Sequence, residues 1–549
     1  MHNQRINTFA LSGLLLMAGT PLFAADVGVI QEELILLPND GAAGDQFSRV
    51  DISGTTAIVG SYRDDDNGTD SGSAYLFDTT TGAQIAKLAP SDLGIHDYFG
   101  RSVGISGDIA IVGAWTHDTD NGLDIGAAYL FDAITGQELF KLLATDGSSF
   151  DNLGSSVAIS GDIAIVGARN DDVNGVDSGS AYLFDVTTGA QLVKLLPTDG
   201  QAGDWFGWSV DISGDTAIVG AIHDDDNGVN SGSVYLFDTT TGAQLAKLLP
   251  SESTPGKSFG TNIAINSTTA IVGVPLDHEN GSSTGAAYLF DIATGAQLTK
   301  LFATDAEFGD QFGSSVKMSE TMAVIGAWQS DDSGDLSGSA YVYHLSTATE
   351  LAKLTTSYEN STAFMGSSVS ISETTVVAGA IGDDDNGPAS GSAFVFNLMS
   401  NPPGNPYCFG DGTSAACPCG NTGGLGEGCA NSTGAGAKLA AVSTNSVGNN
   451  EFSLFTSGLP AGPGLYFQGD NKVHVVFGDG IRCVGVNIMR LEIRSSTGGV
   501  SRTTVDIVAA GDVAAGDTKH YQLWYRDPIN SPCGSGFNLS NGYEVLWMP

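Results

Sequence analysis

"FGWSVDIS" (Phe206–Ser213), "GDTAIVGA" (Gly214–Ala221), "SGSVYLFD" (Ser231–Asp238) and "GAQLAKLLP" (Gly242–Pro250) follow one another along a single stretch of the chain. Each is a short run of Val, Ile, Leu, Tyr and Phe bounded by Gly, Asp, Ser or Thr, the pattern of strands in a buried sheet. The Gly of "IVG" recurs at Gly60, Gly113, Gly167, Gly220, Gly273, Gly326 (there "VIG") and Gly379 (there "VAG"), at intervals of 53 or 54 residues. Seven copies of a four-strand unit with short turns predict the blades of a β-propeller, in which neighbouring blades cover both faces of each sheet.

The ends of the array predict how the ring closes. The seventh unit stops at "GSAFVFNLM" (Gly391–Met399), without a counterpart of "GAQLAKLLP". The missing piece lies at the other end, where "ELILLPNDGAAGDQF" (Glu33–Phe47) matches "VKLLPTDGQAGDWF" (Val193–Phe206). Leu34 to Leu37 is therefore expected to supply the outer strand of the seventh blade, removing the open edges of a linear array.

Upstream, "MHNQRINTFALSGLLLMAGTPLFAAD" has an early Arg5, an apolar stretch from Phe9 to Phe23 and small residues at Ala24 and Ala25, and reads as a secretory signal peptide over residues 1–25. No later segment offers the 18 or so uninterrupted apolar residues of a membrane helix, so the chain is expected to be secreted, extracellular or at the cell surface. Residues 1–403 hold 13 basic against 51 acidic side chains out of a net charge of −41. That surface repels nucleic acid and favours cations.

The pairs Phe99-Gly100, Phe206-Gly207, Phe259-Gly260 and Phe312-Gly313, followed by "VGA", "VGVP" or, after the last, "IGA", resemble FG-GAP repeats, the units of the integrin α-subunit propeller and of many secreted bacterial proteins. Phe47-Ser48, Leu153-Gly154 and Met365-Gly366 are worn copies of the pair. The resemblance covers residues 33–399 and implies an extracellular propeller that meets its ligands on one face. It also implies a D-x-D-x-D-G-x-x-D calcium loop between the first two strands of a unit. That place holds only tight turns here, such as "ISGTT" from Ile52 and "ISGDT" from Ile212, so calcium is not carried over by family likeness.

Acids gather one connection later, in "DDDNG" at Asp64–Gly68, Asp224–Gly228 and Asp383–Gly387 and in related loops. Counted from each loop Gly, the alternate positions bring up Asp64, Asp66, Asp70, Asp118, Asp120, Asp124, Asp171, Asp224, Asp226, Asp383 and Asp385 as candidate Ca2+ ligands, since calcium takes six to eight oxygens in flexible geometry. Asp-Asn-Gly is equally a turn sequence. Successive connections of an antiparallel blade alternate between faces, so these loops share a face with the acidic "TDGQAGD" type, and that face is expected to carry most of the charge. His117, His223 and His278 lie in the same loops without a shared partner spacing.

After "NPPGNP" (Asn401–Pro406) the chain changes character. Cys408, Cys417, Cys419, Cys429, Cys483 and Cys533 all fall here, an even number that in a secreted chain reads as three disulfides. Strand-like runs follow, so residues 407–549 are expected to form a β-sandwich-like domain. The region resembles Cys-rich tails that end secreted repeat proteins of planctomycete-like bacteria. Tyr521, Trp524 and Tyr525 are weighed as a sugar platform and expected to pack in the core instead.

The whole reads as all-β: a signal peptide (1–25), a seven-bladed propeller closed by an N-terminal strand (26–400), a linker (401–406) and a disulfide-containing C-terminal domain (407–549). No G-x-S-x-G, H-E-x-x-H or Walker loop is present. The "D-x-x-T-G" turns resemble quinoprotein repeats, but none of Trp115, Trp205, Trp208, Trp328, Trp524 and Trp547 follows such a turn. The expected function is binding or adhesion to an extracellular protein or glycan, without catalysis or an organic cofactor. An extracellular hydrolase or quinoprotein-like enzyme, or a structural envelope protein, is the alternative.

Overall fold

The computed structural model describes residues 28–549 except 121, 253–254, 358–360, 399–404, 411–416, 424–426, 443–451, 497–498, 515, 528–531 and 548–549. The expected signal peptide and residues 401–404 of the expected linker lie outside the described residues.

Seven sheets stand around one axis, their first three strands antiparallel and in chain order from the inside outwards. In the fourth blade the strands are Phe206–Ser213, Thr216–Ala221, Ser233–Asp238 and Gln244–Leu248. The innermost strands of the seven blades, Phe47–Ser53, Ser102–Ser106, Leu153–Ser160, Phe206–Ser213, Asn262–Ile265, Ser315–Met318 and Met365–Ser372, each pack against the next. The seventh packs against the first, and Val50 N donates to Ser368 Oγ across that seam at 3.1 Å, so the ring is closed.

The expected clasp is present. Leu34–Leu36 pairs antiparallel with Ser392–Asn397, placing Leu36 opposite Ala393, and serves as the outer strand of blade seven. A second strand was not foreseen: Gly28–Gln31 runs parallel to Thr349–Thr355 and adds a fifth strand to blade six. The N-terminal segment thus ties two neighbouring blades.

The apolar runs meet between blades, as their lack of alternation requires. Phe206 is fully buried with its ring edge-on to Tyr235 at 5.6 Å and Phe237 at 5.7 Å, in a cluster that also takes in Ile165 and Leu183 of the preceding blade. Burying one such ring contributes about 2–3 kcal/mol. The recurring glycines mark where adjacent blades cross most tightly. A Cβ on Gly220 would lie 2.3 Å from the carbonyl oxygen of Gly260, and Gly260 itself has φ +98°, so neither position accepts a side chain without strain.

Beyond the propeller, Pro463–Gly469, Met489–Ser495, Thr518–Arg526, Gly542–Leu546, Asn405–Tyr407 and Phe537–Leu539 form a six-stranded sheet, with a three-stranded sheet and a hairpin beside it. Disulfides Cys408–Cys483 and Cys417–Cys429 staple this region, and Cys533 is disulfide-bonded too. The side chain of Cys419 lies outside what is described. Tyr521 and Tyr525 are buried in its core, as expected, whereas Trp524 is half-buried, packing against Phe467 and Leu539 from the side. Among the described residues no helix is long and apolar enough to cross a membrane.

Candidate functional site

The loops after the second and fourth strands of each blade meet on one face. His96 N donates to Thr69 O at 2.8 Å, Tyr98 N to Asp70 O at 3.1 Å and Phe99 N to Ser71 O at 3.0 Å, joining the two acidic loop types that sequence topology placed together. Seen from the backbone, each second-strand loop is a turn stabilised by its own acids. Asp64 Oδ1 accepts from Asp66 N at 2.9 Å and Asp65 Oδ1 from Asp70 N at 2.7 Å. The latter contact holds Asp70 at φ +50°, a left-handed conformation that Asp and Asn tolerate.

The first acid of the loop is buried. Asp64, Asp171, Asp224 and Asp277 are at most 5% exposed, and each is met by a phenol from the third strand and an ammonium from the fourth. In blade four, Tyr235 OH donates to Asp224 Oδ2 at 2.7 Å and Lys247 Nζ lies 2.9 Å away. Blades one, three and five repeat this with Asp64, Tyr75 and Lys87, with Asp171, Tyr182 and Lys194, and with Asp277, Tyr288 and Lys300. The same lysine reaches the other acidic loop, Lys247 to Asp199 at 2.9 Å and Lys194 to Asp146 at 2.7 Å. Burial opposes the charge on Asp224, but the Tyr235 phenol and the Lys247 ammonium outweigh it and hold the carboxyl below the usual range. Asp277, with a second ammonium from Lys257 at 2.9 Å, is held down at about 2.

The candidate ligands are therefore distributed differently from their linear spacing. Asp64, Asp171, Asp224 and Asp383 are the buried acids, while Asp66 and Asp226 share a lysine with Asp64 and Asp224. Asp385 donates its backbone N–H to Asp383. Asp118 requires a correction: counting back from Gly122 aligns it with Asp64, but its Oδ1 accepts from Asp124 N at 2.8 Å, the role of Asp65. His117 occupies the buried position instead, 2.6 Å from Asp97 and 2.7 Å from Lys141 Nζ. Asp70 and Asp124 hold the left-handed corner, and Asp120 is exposed. His278 stands in for the second acid, accepting from Ser283 N at 2.8 Å, and His223 lies 4.2 Å from the Trp205 ring. Among the described residues no three of these groups converge as a metal-holding set. An internal ammonium already stands among the oxygens, so the loops as folded fit a lysine better than a divalent cation.

The description of the FG-GAP repeat family matches residues 30–77, 83–131, 137–184, 190–237, 243–290, 296–343 and 348–396. This chain belongs to the FG-GAP repeat family. No curated protein matches it. Each matched segment starts at the outer strand of one blade and ends in the third strand of the next, so the repeat straddles blades, and the clasp follows from that offset.

In this FG-GAP propeller the lysines of the outer strands are engaged by acids, but the arginines are not. Arg49, Arg63, Arg101 and Arg169 take part in no ion pair among the described residues. They gather with aromatic rings at the loop-face ends of the inner strands of blades one to four. Arg49, Arg63 and Arg101 lie 6.0, 5.9 and 5.3 Å from the Tyr62 ring centre, and Arg169 sits between Trp115 at 4.6 Å and Trp208 at 4.7 Å. Tyr98 links Tyr62 to Trp115, at 6.4 and 6.0 Å. Burial first, and Arg101 second, pull the affinity of Arg49 and Arg169 for their protons down. Sequence reading passed these residues over. The signal was positional: Tyr62, Trp115 and Arg169 directly follow "VGS" or "VGA", and Arg49, Arg101 and Trp208 lie two residues beyond the Phe of the FG pair.

At the opposite end of the axis a cavity of about 470 Å³ is lined by Asp51, Asp211 and Lys317. Lys317 Nζ stands 3.2 Å from Asp211 and 3.9 Å from Asp51, while Ser370 Oγ donates to Asp51 at 2.7 Å. Ile105 N and Ile265 N donate to the remaining oxygens of Asp51 and Asp211. These contacts tie blades across the axis.

Proposed function

We propose that this FG-GAP protein acts outside the cell as a binding protein whose ligand, a protein or a glycan, meets the loop face at the mouth of the ring, where the inner strands of blades one to four end. The observation that carries this reading is the contrast within one face: the lysines are consumed by acids of the same loops, whereas the arginine and aromatic groups at the centre keep their recognition chemistry available. Clustered aromatic and Arg side chains are what binding hot spots are made of. Disulfides in the C-terminal domain fit an oxidising compartment. Calcium assistance is a separate proposal, since a cation would have to displace the lysines that stand among the loop carboxylates, and it is tested alongside.

The test is a screen of purified protein against arrays of extracellular polysaccharides and peptides, in calcium and in chelator at one ionic strength. Two variants are run beside it: Trp115→Ala at the mouth and Leu245→Ala on the exposed outer strand of blade four. Loss of binding in the first alone is expected. Binding that survives Trp115→Ala, or falls equally with Leu245→Ala, places the ligand elsewhere and ends this reading. Equal binding in calcium and chelator removes calcium from it.

A further inference from the structure

The side chains at the mouth point to one ligand chemistry. Arg169 is stacked between Trp115 and Trp208, which fixes the plane of its guanidinium without neutralising it. A single contact uses its fork, Nε donating to Asn170 Oδ1 at 3.3 Å. Arg49 reaches only the carbonyl of Ser367, at 3.5 Å, and its Nε is a buried donor without an acceptor among the described residues. The indole Nε1 of Trp115 is a second such donor. Donors left in this state carry a desolvation penalty that an acceptor from a ligand relieves.

The charges reinforce the point. Burial, followed by the neighbouring guanidinium of Arg101, disfavours the charge on Arg49, and no carboxylate acts to restore it. In a propeller with 51 acids among residues 1–403, three half-buried arginines have thus been gathered together without an ion pair to any acid among the described residues. The buried acids of the rim, Asp64, Asp171, Asp224 and Asp277, are themselves paired with lysines. Their residual field is screened beyond about 10 Å in ordinary salt, so it does not bar an anion from the centre.

We propose that the mouth of the ring, where the inner strands of blades one to four end on the loop face, is a subsite for an anionic oligosaccharide, with carboxylate or sulfate groups held by Arg49, Arg101 and Arg169 and sugar rings resting among Tyr62, Trp115 and Trp208. The planar fork of Arg matches both oxyanions. Aromatic rings present flat, amphipathic surface to a pyranose. A peptide is the poorer fit, because extended peptides are recognised by pairing along a strand edge or lying in a groove, whereas the groups gathered here are side chains contributed one or two at a time by strand ends of successive blades. This inference rests on the loop-face reading and names its ligand class.

Calorimetric titration of the purified protein tests it, with an oligogalacturonate, a sulfated oligosaccharide, a neutral cello-oligosaccharide of equal length and a poly-glutamate peptide as probes. One or both charged sugars are expected to bind, with an affinity that falls as salt is raised, and the two identify which oxyanion is preferred. Arg169→Gln and Arg101→Gln are each expected to raise Kd about 10- to 100-fold, the loss of a charge-assisted contact, while Leu245→Ala leaves it unchanged and the melting temperature of each variant confirms folding. A neutral sugar that binds as well as the charged ones, or arginine variants that bind like the parent, overturns the anionic inference; if Trp115→Ala still abolishes that binding, the loop-face reading stands. Preference for the peptide overturns the glycan assignment. No binding of any probe at millimolar concentration overturns the subsite.

Discussion

A buried aspartate is tolerable only if its charge is answered, and in this propeller the answer comes from fixed distances along the chain. Asp224 finds its phenol 11 residues on, at Tyr235, and its ammonium 23 residues on, at Lys247, and Asp64 does the same with Tyr75 and Lys87. Removing one partner of such a pair leaves an uncompensated buried charge, which is far more damaging than losing a surface pair. Lys247→Met is therefore expected to destabilise the protein by about 3 kcal/mol, measured by chemical denaturation. Adding Asp224→Asn should recover part of that loss, because a neutral side chain no longer needs the ammonium. A loss from Lys247→Met below about 0.5 kcal/mol, the size of an exposed pair, would show that the carboxylate is solvated and that the network is decorative. The 11- and 23-residue spacing was legible in the sequence. It was missed because the acids were compared with one another inside each loop, as metal ligands are, and not with residues two strands away.

At the scale of the element, the connections that carry the chain from one blade to the next behave oppositely to the loops they touch. Asp45, Asp151, Asp204 and Asp310 each close such a connection by accepting a backbone N–H three residues earlier, Asp204 from Gln201 N at 2.7 Å. Burial pushes all four carboxyls up to about 6, against these hydrogen bonds. A carboxyl whose folded value lies above its unfolded one binds more protons in the folded state, so its stabilisation is complete below the unfolded value near 3.8 and is lost as pH rises through 6. Acids held low, such as Asp277 at about 2, act in the other sense, and their contribution is lost only below about pH 4. His223, whose value burial lowers, opposes the four aspartates within the same window as a single group. The melting temperature is expected to rise as pH falls from 7.5 to 5 and to drop again below 4. A curve that is flat or falling from 7.5 to 5 contradicts the burial of these turn acids. The strands themselves were readable because each is a contiguous run bounded by turn residues. The arginine and aromatic cluster was not, since Tyr62, Trp115 and Arg169 come from blades one, two and three and meet only when those blades pack side by side.

The whole molecule depends on that closure, and the N-terminal segment makes it twice over. Leu36, fully buried, completes blade seven against Ala393, and Ile30 is buried in the strand added to blade six. Between them Glu32 accepts from the backbone and hydroxyl of Ser357, at 2.8 and 2.5 Å. The outer strand of blade seven was predictable because the repeat is offset from the blade by one strand, so a closed ring must borrow from its other end. The parallel strand Gly28–Gln31 had no such signal, being unlike any unit of the repeat. Deleting residues 26–38 removes both pairings and exposes the edges of two blades to intermolecular pairing. Burial of Leu36 and Ile30 alone accounts for about 3–6 kcal/mol. The truncated protein is accordingly expected to melt well below the parent and to associate on gel filtration, whereas Leu36→Ala should lower the midpoint by a smaller amount, about 2–5 kcal/mol, and remain monodisperse relative to its parent. If the truncated chain melts with the parent, the ring is held by the packing of its inner strands and the clasp is dispensable. In that case the mouth, which the inner strands of blades one to four assemble, would stay intact, and ligand binding by the truncated chain would show it.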